Sequence, residues 1–336
     1  MRAVVQLGYG GPPEVLGVRE LDLPSLGDGE VLVRVRAASV HPDVWHVVTG
    51  VPRVLRLMGS GVRRPSNVVP GTDMAGEVES VGAGVTRLRP GDEVLGETLG
   101  GMQWRNGGAY AEYVAVAEDA LAVKPSQVTF EQAATVPTAG LIALANLPDQ
   151  DQARSQRMLV NGAGGGVGAI AVQLARSWGA QVTAVDHTRK LDLLRALGAD
   201  RVIDYTTDDV TRSSDRYDLV FDVVGNHPFS AYRRVLADDG AYGLIGHDQF
   251  GAQGRRWLGS IPRMFGLMAR SPVERRLPRP SFTAPDRTAS MARLRDLLED
   301  GAITPVVARA FPLEQVPDAL ELLASGQAVG RIVVVP

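Results

Sequence analysis

The sequence predicts an α/β protein in which an antiparallel β region precedes a doubly wound parallel sheet. Three observations lead there. The texture changes near residue 130 from short alternating strands to helices alternating with buried apolar strands; a glycine-rich turn joins one such strand to a helix; and that helix carries a single apolar stripe. At 336 residues the chain suits two domains with a cleft between them.

Residues 1–125 hold period-two runs such as Glu30-Val-Leu-Val-Arg-Val-Arg36 and Glu112-Tyr-Val-Ala-Val116, punctuated by Gly, Pro and Asp, which predict antiparallel strands. Beyond about residue 130, parallel strands are expected over 158–161, 181–186, 201–204, 219–224 and 241–246. Val167, Ile170, Ala171, Leu174 and Trp178 fall at offsets 0, 3, 4, 7 and 11, one face of a helix that would cover the sheet. Residues 247–280 interrupt the alternation with a basic, proline-containing stretch that reads as a loop or a loose helical excursion. Helices over 291–299 and 317–324 and a closing strand over 331–335 complete the chain.

Charge and composition exclude several functions. With 35 Lys+Arg against 38 Asp+Glu, no chain-wide field draws a polyanion, so nucleic acid is not an expected partner. No run approaches the ~18 apolar residues of a membrane span, and the first residues lack a signal-peptide core, so a cytoplasmic location without membrane partners is expected. The chain has no cysteine, which removes disulfides, thiolate catalysis and thiolate zinc sites.

The turn Gly162-Ala-Gly-Gly-Gly-Val-Gly168 follows a strand and opens the amphipathic helix, the context of a dinucleotide-binding fingerprint. A strict G-x-G-x-x-G is absent; the best register is Ala163, Gly165, Gly168. Missing side chains at Gly162, Gly164, Gly165 and Gly166, with Ala163 and Val167, would let the backbone and the helix N-terminus approach a pyrophosphate. The next strand ends in Asp186-His-Thr-Arg-Lys190. An acid there suits the ribose hydroxyls of NADH, while Arg189 and Lys190, with Thr188 before them, suit the 2′-phosphate of NADPH. The signal is divided between the two cofactors.

Further stretches carry a resemblance. Val160 to Gly168, Leu197-Gly-Ala-Asp-Arg-Val-Ile-Asp-Tyr205, Tyr217-Asp-Leu-Val-Phe-Asp-Val-Val-Gly225, Ala37-Ala-Ser-Val-His-Pro-Asp-Val-Trp45, Val69-Pro-Gly-Thr-Asp-Met-Ala-Gly-Glu-Val78, Gly301-Ala-Ile-Thr-Pro-Val306 and Gly330-Arg-Ile-Val-Val334 together resemble the zinc-independent, quinone oxidoreductase-like branch of the medium-chain dehydrogenases/reductases. The likeness implies a Rossmann domain, residues 125–285, inserted into a GroES-like catalytic domain formed by 1–124 and 286–336. It adds Thr138, Tyr205, Val224, Gly225, Gly246 and Arg331 to the cofactor residues, and it favours NADPH through Arg189. Zinc-dependent relatives carry Gly-His-Glu where this chain has Gly71-Thr72-Asp73, and a structural zinc lobe would fall around 96–108, so no metal is expected.

The same likeness puts His41, Asp43 and Trp45 at the nicotinamide face of the cleft, with Thr135, Pro137 and Thr138 opposite. His41 stands where asparagine is usual; it either delivers a proton to a developing oxyanion or keeps only a structural hydrogen bond. Trp45 is expected as wall, on which a flat substrate could stack, His46 at a helix start facing solvent, and Tyr110 and Tyr113 in the core. Three functions follow as expectations: an NADPH-dependent quinone or enone reductase; a dedicated biosynthetic enoyl or imine-type reductase; and a cofactor-binding protein with little turnover. The substrate is a small molecule in the first two. The stretch 279–284 resembles the family's edge strand at the end of the nucleotide sheet, and the resemblance implies a homodimer through it.

Overall fold

The computed structural model describes residues 1–99, 105–246, 256–278 and 286–336. β1 (Arg2–Gln6) and β2 (Leu16–Glu20) form an antiparallel pair. The first large sheet has seven strands in the order β13-β14-β3-β4-β5-β7, with β6 pairing β3. These are β3 (Glu30–Ser39), β4 (Asp73–Val81), β5 (Glu93–Glu97), β6 (Tyr113–Ala117), β7 (Leu121–Val123), β13 (Val307–Pro312) and β14 (Arg331–Val335). The last two come from the C-terminal end, and β14 joins β3 antiparallel with Val333 opposite Ser39.

The second sheet is parallel throughout, in the order β10-β9-β8-β11-β12. Its strands are β8 (Arg157–Asn161), β9 (Gln181–Asp186), β10 (Arg201–Asp204), β11 (Tyr217–Asp222) and β12 (Leu236–Leu244). The order reverses between β8 and β11, so the crevice beyond their C-terminal ends is where a ligand of this architecture binds. The Gly166–Ser177 helix buries Val167, Ile170, Ala171 and Leu174, the expected stripe, against the sheet. It ends as a Schellman turn: Gly179 N–H donates to Arg176 O at 3.0 Å and Ala180 N–H to Ala175 O at 3.0 Å.

Two strand expectations shift. β11 stops at Asp222, two residues short of 224, because the Asp222 carboxylate takes the amides of Val224 (3.3 Å) and Gly225 (2.9 Å) and turns the chain out of the sheet. β12 begins at Leu236, before 241, because its register against β11 jumps from Leu236 to Ala241 and absorbs the Asp-Asp-Gly that reads as a turn. Within 247–280 the described part contains a ten-residue helix, Ile261–Arg270. The edge strand expected at 279–284 lies outside the described residues. No described helix is long and apolar enough to cross a membrane.

Candidate active site

The glycine turn commits its own amides to the protein. Gly162 and Ala163 donate to Val185 O at 3.0 and 3.1 Å, Gly164 to the Asp186 carboxylate at 2.8 Å, and Gly165 to Gly162 O at 3.1 Å. What remains for an anion is the first turn of the Gly166–Ser177 helix, whose N-cap Gly165 offers no side chain. Above it lies Arg331: a Cβ on Gly166 would fall 2.0 Å from a guanidinium nitrogen. Arg331 Nε is buried without a hydrogen-bond partner. An uncapped helix N-terminus beneath an incompletely satisfied guanidinium fits a pyrophosphate. Gly168 has another purpose, since a Cβ there would meet Gly162 O at 2.3 Å and would drive the helix off β8. Val224 closes against the turn, its Cγ2 2.5 Å from where a Gly162 Cβ would stand, and Gly246 passes so close to Val223 O that a Cβ would overlap it at 1.7 Å.

At the end of β9, Asp186 is buried and turned inward. Its second oxygen accepts from His187 N–H at 2.8 Å, and Lys190 Nζ stands 3.5 Å away. The Lys190 stem crosses Gly164, where a Cβ would touch its Cδ at 2.5 Å. Thr188 donates its hydroxyl to Asp204. Arg189 remains exposed, lying along His187 with Nε 3.3 Å from Nδ1, and His187 in turn meets the exposed Tyr205 edge-on at 5.9 Å. Of the two adjacent cations, then, Lys190 is engaged with the acid and Arg189 faces outward.

At the opposite end, His41 caps the Pro42–Thr49 helix: Asp43 N–H donates to Nδ1 at 3.3 Å, and the Asp43 carboxylate lies 3.2 Å from the same nitrogen. Both residues are buried. A neutral imidazole that accepts at Nδ1 carries its proton on Nε2. Behind it is a fully buried carboxylate, Asp73. It accepts from Thr138 N–H at 3.3 Å, from the Thr138 hydroxyl, and from Ser39 Oγ at 3.3 Å. Arg331 Nη2 donates to Ser39 Oγ at 3.0 Å, and Tyr110 OH to Ser39 O at 3.1 Å. Burial pushes the Asp73 carboxyl above the ordinary range, opposed by His41, the Thr138 hydroxyl and Arg331. Burial lowers the Arg331 guanidinium, opposed by Asp73. Burial and the neighbouring Asp73 push the Tyr110 phenol up.

Some expectations are corrected here. His46 does not start the helix or face solvent; it is buried in the helix's second half with Nδ1 2.6 Å from Val51 O. Tyr110 is core, but Tyr113 is only half-buried, with Arg34 over its ring at 5.9 Å. Trp45 packs in the core of the first sheet, Pro137 is a buried first-turn residue of its helix, and Thr135 lines one small pocket together with Gly164, Gly165, Gly166 and Arg331.

Comparison with known proteins bears on this geometry. Residues 27–126 match the model of the alcohol dehydrogenase GroES-like domain, and 197–334 that of the zinc-binding dehydrogenases. The chain is 32% identical to an NADPH-dependent alkenal/one oxidoreductase of Arabidopsis thaliana chloroplasts, over 100% of this chain and 80% of that one. It superposes on a quinone oxidoreductase from Coxiella burnetii with a TM-score of 0.81 at 26% identity, covering 100% and 99% of the two chains. It superposes on an NAD-dependent alcohol dehydrogenase with a TM-score of 0.80 at 30% identity, covering all of both. The chain belongs to the medium-chain dehydrogenases/reductases, in the quinone oxidoreductase-like branch. It is an oxidoreductase with a nicotinamide cofactor.

In this medium-chain reductase the polar cluster that sequence reasoning missed is Ser39, Asp73 and Tyr110. Asp73 stands at the glutamate position of the Gly-His-Glu found in zinc-dependent relatives. That alignment was a signal pointing to Asp73, although nothing in the spacing tied it to Thr138 or Arg331. Thr72 Oγ1, at the histidine position, is buried without a hydrogen-bond partner.

Proposed function

We propose that this reductase uses NADPH, works without zinc, and delivers hydride to a quinone or an α,β-unsaturated carbonyl. The observation that supports the reading is the polar chain Arg331–Ser39–Asp73–Thr138, which starts over the helix terminus at Gly166 and whose Asp73 interacts electrostatically with His41, so that it would join a pyrophosphate site to a proton donor. We divide the chain into a catalytic domain, 1–124 with 286–336, and a nucleotide domain, 125–285.

When bound, the cofactor supplies the hydride. The first-turn amides at Gly166 and Val167, with Arg331, would hold its pyrophosphate, and Arg189 its 2′-phosphate, because Lys190 is held by Asp186. His41 holds a proton on Nε2 for the oxygen on which negative charge develops, and the Asp43 N–H that donates to Nδ1 at 3.3 Å fixes that tautomer and the ring's orientation. Asp73, fully buried, holds Thr138 and, through Ser39, Arg331. With no metal to polarise a carbonyl, the acceptor must already be electrophilic. The donor set argues against zinc: there is no cysteine in the chain, and Thr72 stands where the ligand histidine would.

The test is steady-state oxidation of NADPH and NADH against a panel of quinones and enones, with zinc measured in the purified protein. Turnover with NADPH on several acceptors, and substoichiometric zinc, is expected. Activity confined to one enone would instead identify a dedicated biosynthetic reductase, and cofactor binding without oxidation a protein of little turnover. One zinc per chain with activity lost on chelation overturns the metal-free reading.

A further inference from the structure

The Ile261–Arg270 helix is amphipathic in the unusual sense. Arg263, Gly266, Leu267 and Arg270, spaced i, i+3, i+4 and i+7, line a cavity of about 460 Å³ against the Gly225–Phe229 turn. Arg263 donates there to the carbonyls of Gly225 and His227. The opposite face carries Met264, Phe265 and Met268, which are 43%, 65% and 40% exposed. Arg263 is tied inward while the apolar side chains stand outward.

That face continues. Trp257 is 68% exposed, and its carbonyl accepts from Val54 N–H at 3.1 Å while Arg53 N–H donates to Arg256 O at 2.8 Å, so the chain around 53–64 lies alongside. There Leu57 and Met58 are also exposed. Arg53 lies over the Trp257 ring at 4.6 Å, and the two segments also carry the exposed arginines Arg63, Arg64, Arg256 and Arg275. The two segments, 53–64 and 256–275, contain one acid, Glu274, and it is paired with Arg233 at 3.5 Å. In a chain whose acids outnumber its bases 38 to 35, this concentration of positive charge is local.

We propose that this face docks the protein peripherally on an anionic lipid bilayer. Exposed Trp, Phe, Leu and Met side chains on segments rich in exposed arginine match both layers of such a surface, the acyl boundary and the negative headgroups. A second copy of the chain fits less well. A two-fold contact would set the patch against itself, arginines against arginines. A nucleic-acid backbone would satisfy the arginines but leave the methionines and Phe265 without an apolar counterpart.

The test is sedimentation of the full chain with vesicles of phosphatidylcholine alone or mixed with phosphatidylglycerol, at low and high salt. The protein should sediment only with the mixed vesicles and be released by salt. Arg63→Ser and Arg64→Ser should each lower the partition coefficient about fivefold. Phe265→Asp should abolish binding, with turnover of a water-soluble acceptor and the circular dichroism spectrum unchanged. Trp257 emission should shift to the blue on binding, and Trp257→Phe should remove the shift. Absence of binding to anionic vesicles, equal binding to both kinds, or indifference to Phe265→Asp overturns the proposal. So does light scattering in which Phe265→Asp converts a dimer to a monomer without a vesicle effect, or retention of duplex DNA in place of vesicles.

Discussion

At the end of the site that we propose for the adenosine, the polar groups come from one stretch of chain: the glycine turn, Asp186 and Lys190 lie within 162–190 and bond to one another. At the His41 end, Ser39, Asp73, Thr138 and Arg331 come from four separate segments, and the Arg331–Ser39 bond alone spans 292 residues. The first end is local and rests on backbone amides; the second is assembled by the fold and rests on side chains. Substitutions at the first should therefore alter cofactor binding with little cost to the fold. Substitutions at the second should disturb turnover and stability together, unless the replacement preserves the structural bond.

His41 offers the sharpest separation. Asparagine is a good N-cap, so His41→Asn should keep the bond to Asp43 N–H and leave the melting temperature unchanged, yet lower kcat by roughly 10²–10⁴ by removing the proton donor. His41→Ala should in addition cost about 1 kcal/mol of stability as the cap is lost. Full activity in His41→Asn, with the same pH–rate profile as the wild type, would reduce the histidine to a cap.

Arg331→Met should come next. Asp73 already titrates above its usual 3.8 because it is buried, and Arg331 is one of the groups opposing that rise. A carboxyl that binds its proton more tightly when folded makes the folded state less stable as pH climbs from the unfolded value through the raised folded one. Removing the guanidinium enlarges this effect, so the variant should lose roughly 3 kcal/mol at neutral pH and recover part of it in acid. Arg331→Met with Asp73→Asn should be more stable than Arg331→Met alone in urea titrations. Additive losses would show that Asp73 does not depend on Arg331.

The adenosine end should respond in affinity. Arg189→Ala should weaken NADPH about ten- to a hundredfold and leave NADH nearly untouched. From sequence alone Asp186 competes with Arg189, which would give Asp186→Ser opposite effects on the two cofactors. Because its carboxylate holds the Gly164 amide and Lys190, the substitution should instead weaken both, by freeing the turn. Calorimetric titration decides between these, and stronger NADPH binding in Asp186→Ser would restore the competitive picture.

The same contrast governs what the sequence disclosed. The five parallel strands, the helix stripe and the glycine turn were legible because each is a local pattern of period or spacing. His41 was legible only through a segment resembling a family, and its capping bond was one of two open readings. Asp73 escaped because a buried carboxylate gains its significance from Thr138, Ser39 and Arg331, none of them its neighbour in sequence. His46 was misplaced because the helix begins at Pro42, so that its ring lies one turn on and under the chain at Val51. Asp186 was identified as a residue but not in its orientation, which depends on which amide the carboxylate reaches.

The smallest effect tests how self-contained the adenosine end is. Thr188 was expected on the cofactor, but its hydroxyl donates to Asp204, which also accepts from Thr206 N–H at 2.9 Å and Thr206 Oγ1 at 2.7 Å. These bonds, the one from Thr188 foremost, hold the Asp204 carboxyl down at about 2. A carboxyl depressed in the folded state contributes stability that is present above its unfolded value of 3.8 and lost as pH falls toward 2. Thr188→Ala should raise the Asp204 carboxyl toward 3.8, visible in a carboxyl-detected NMR titration, and slightly narrow the range of acid in which the fold survives. The exposed setting keeps the stability change small. NADPH affinity should stay constant, since the hydroxyl is engaged within the protein. If Thr188→Ala weakens NADPH as strongly as Arg189→Ala, the hydroxyl exchanges Asp204 for the cofactor on binding, and the adenosine end is rearranged by its ligand rather than preformed.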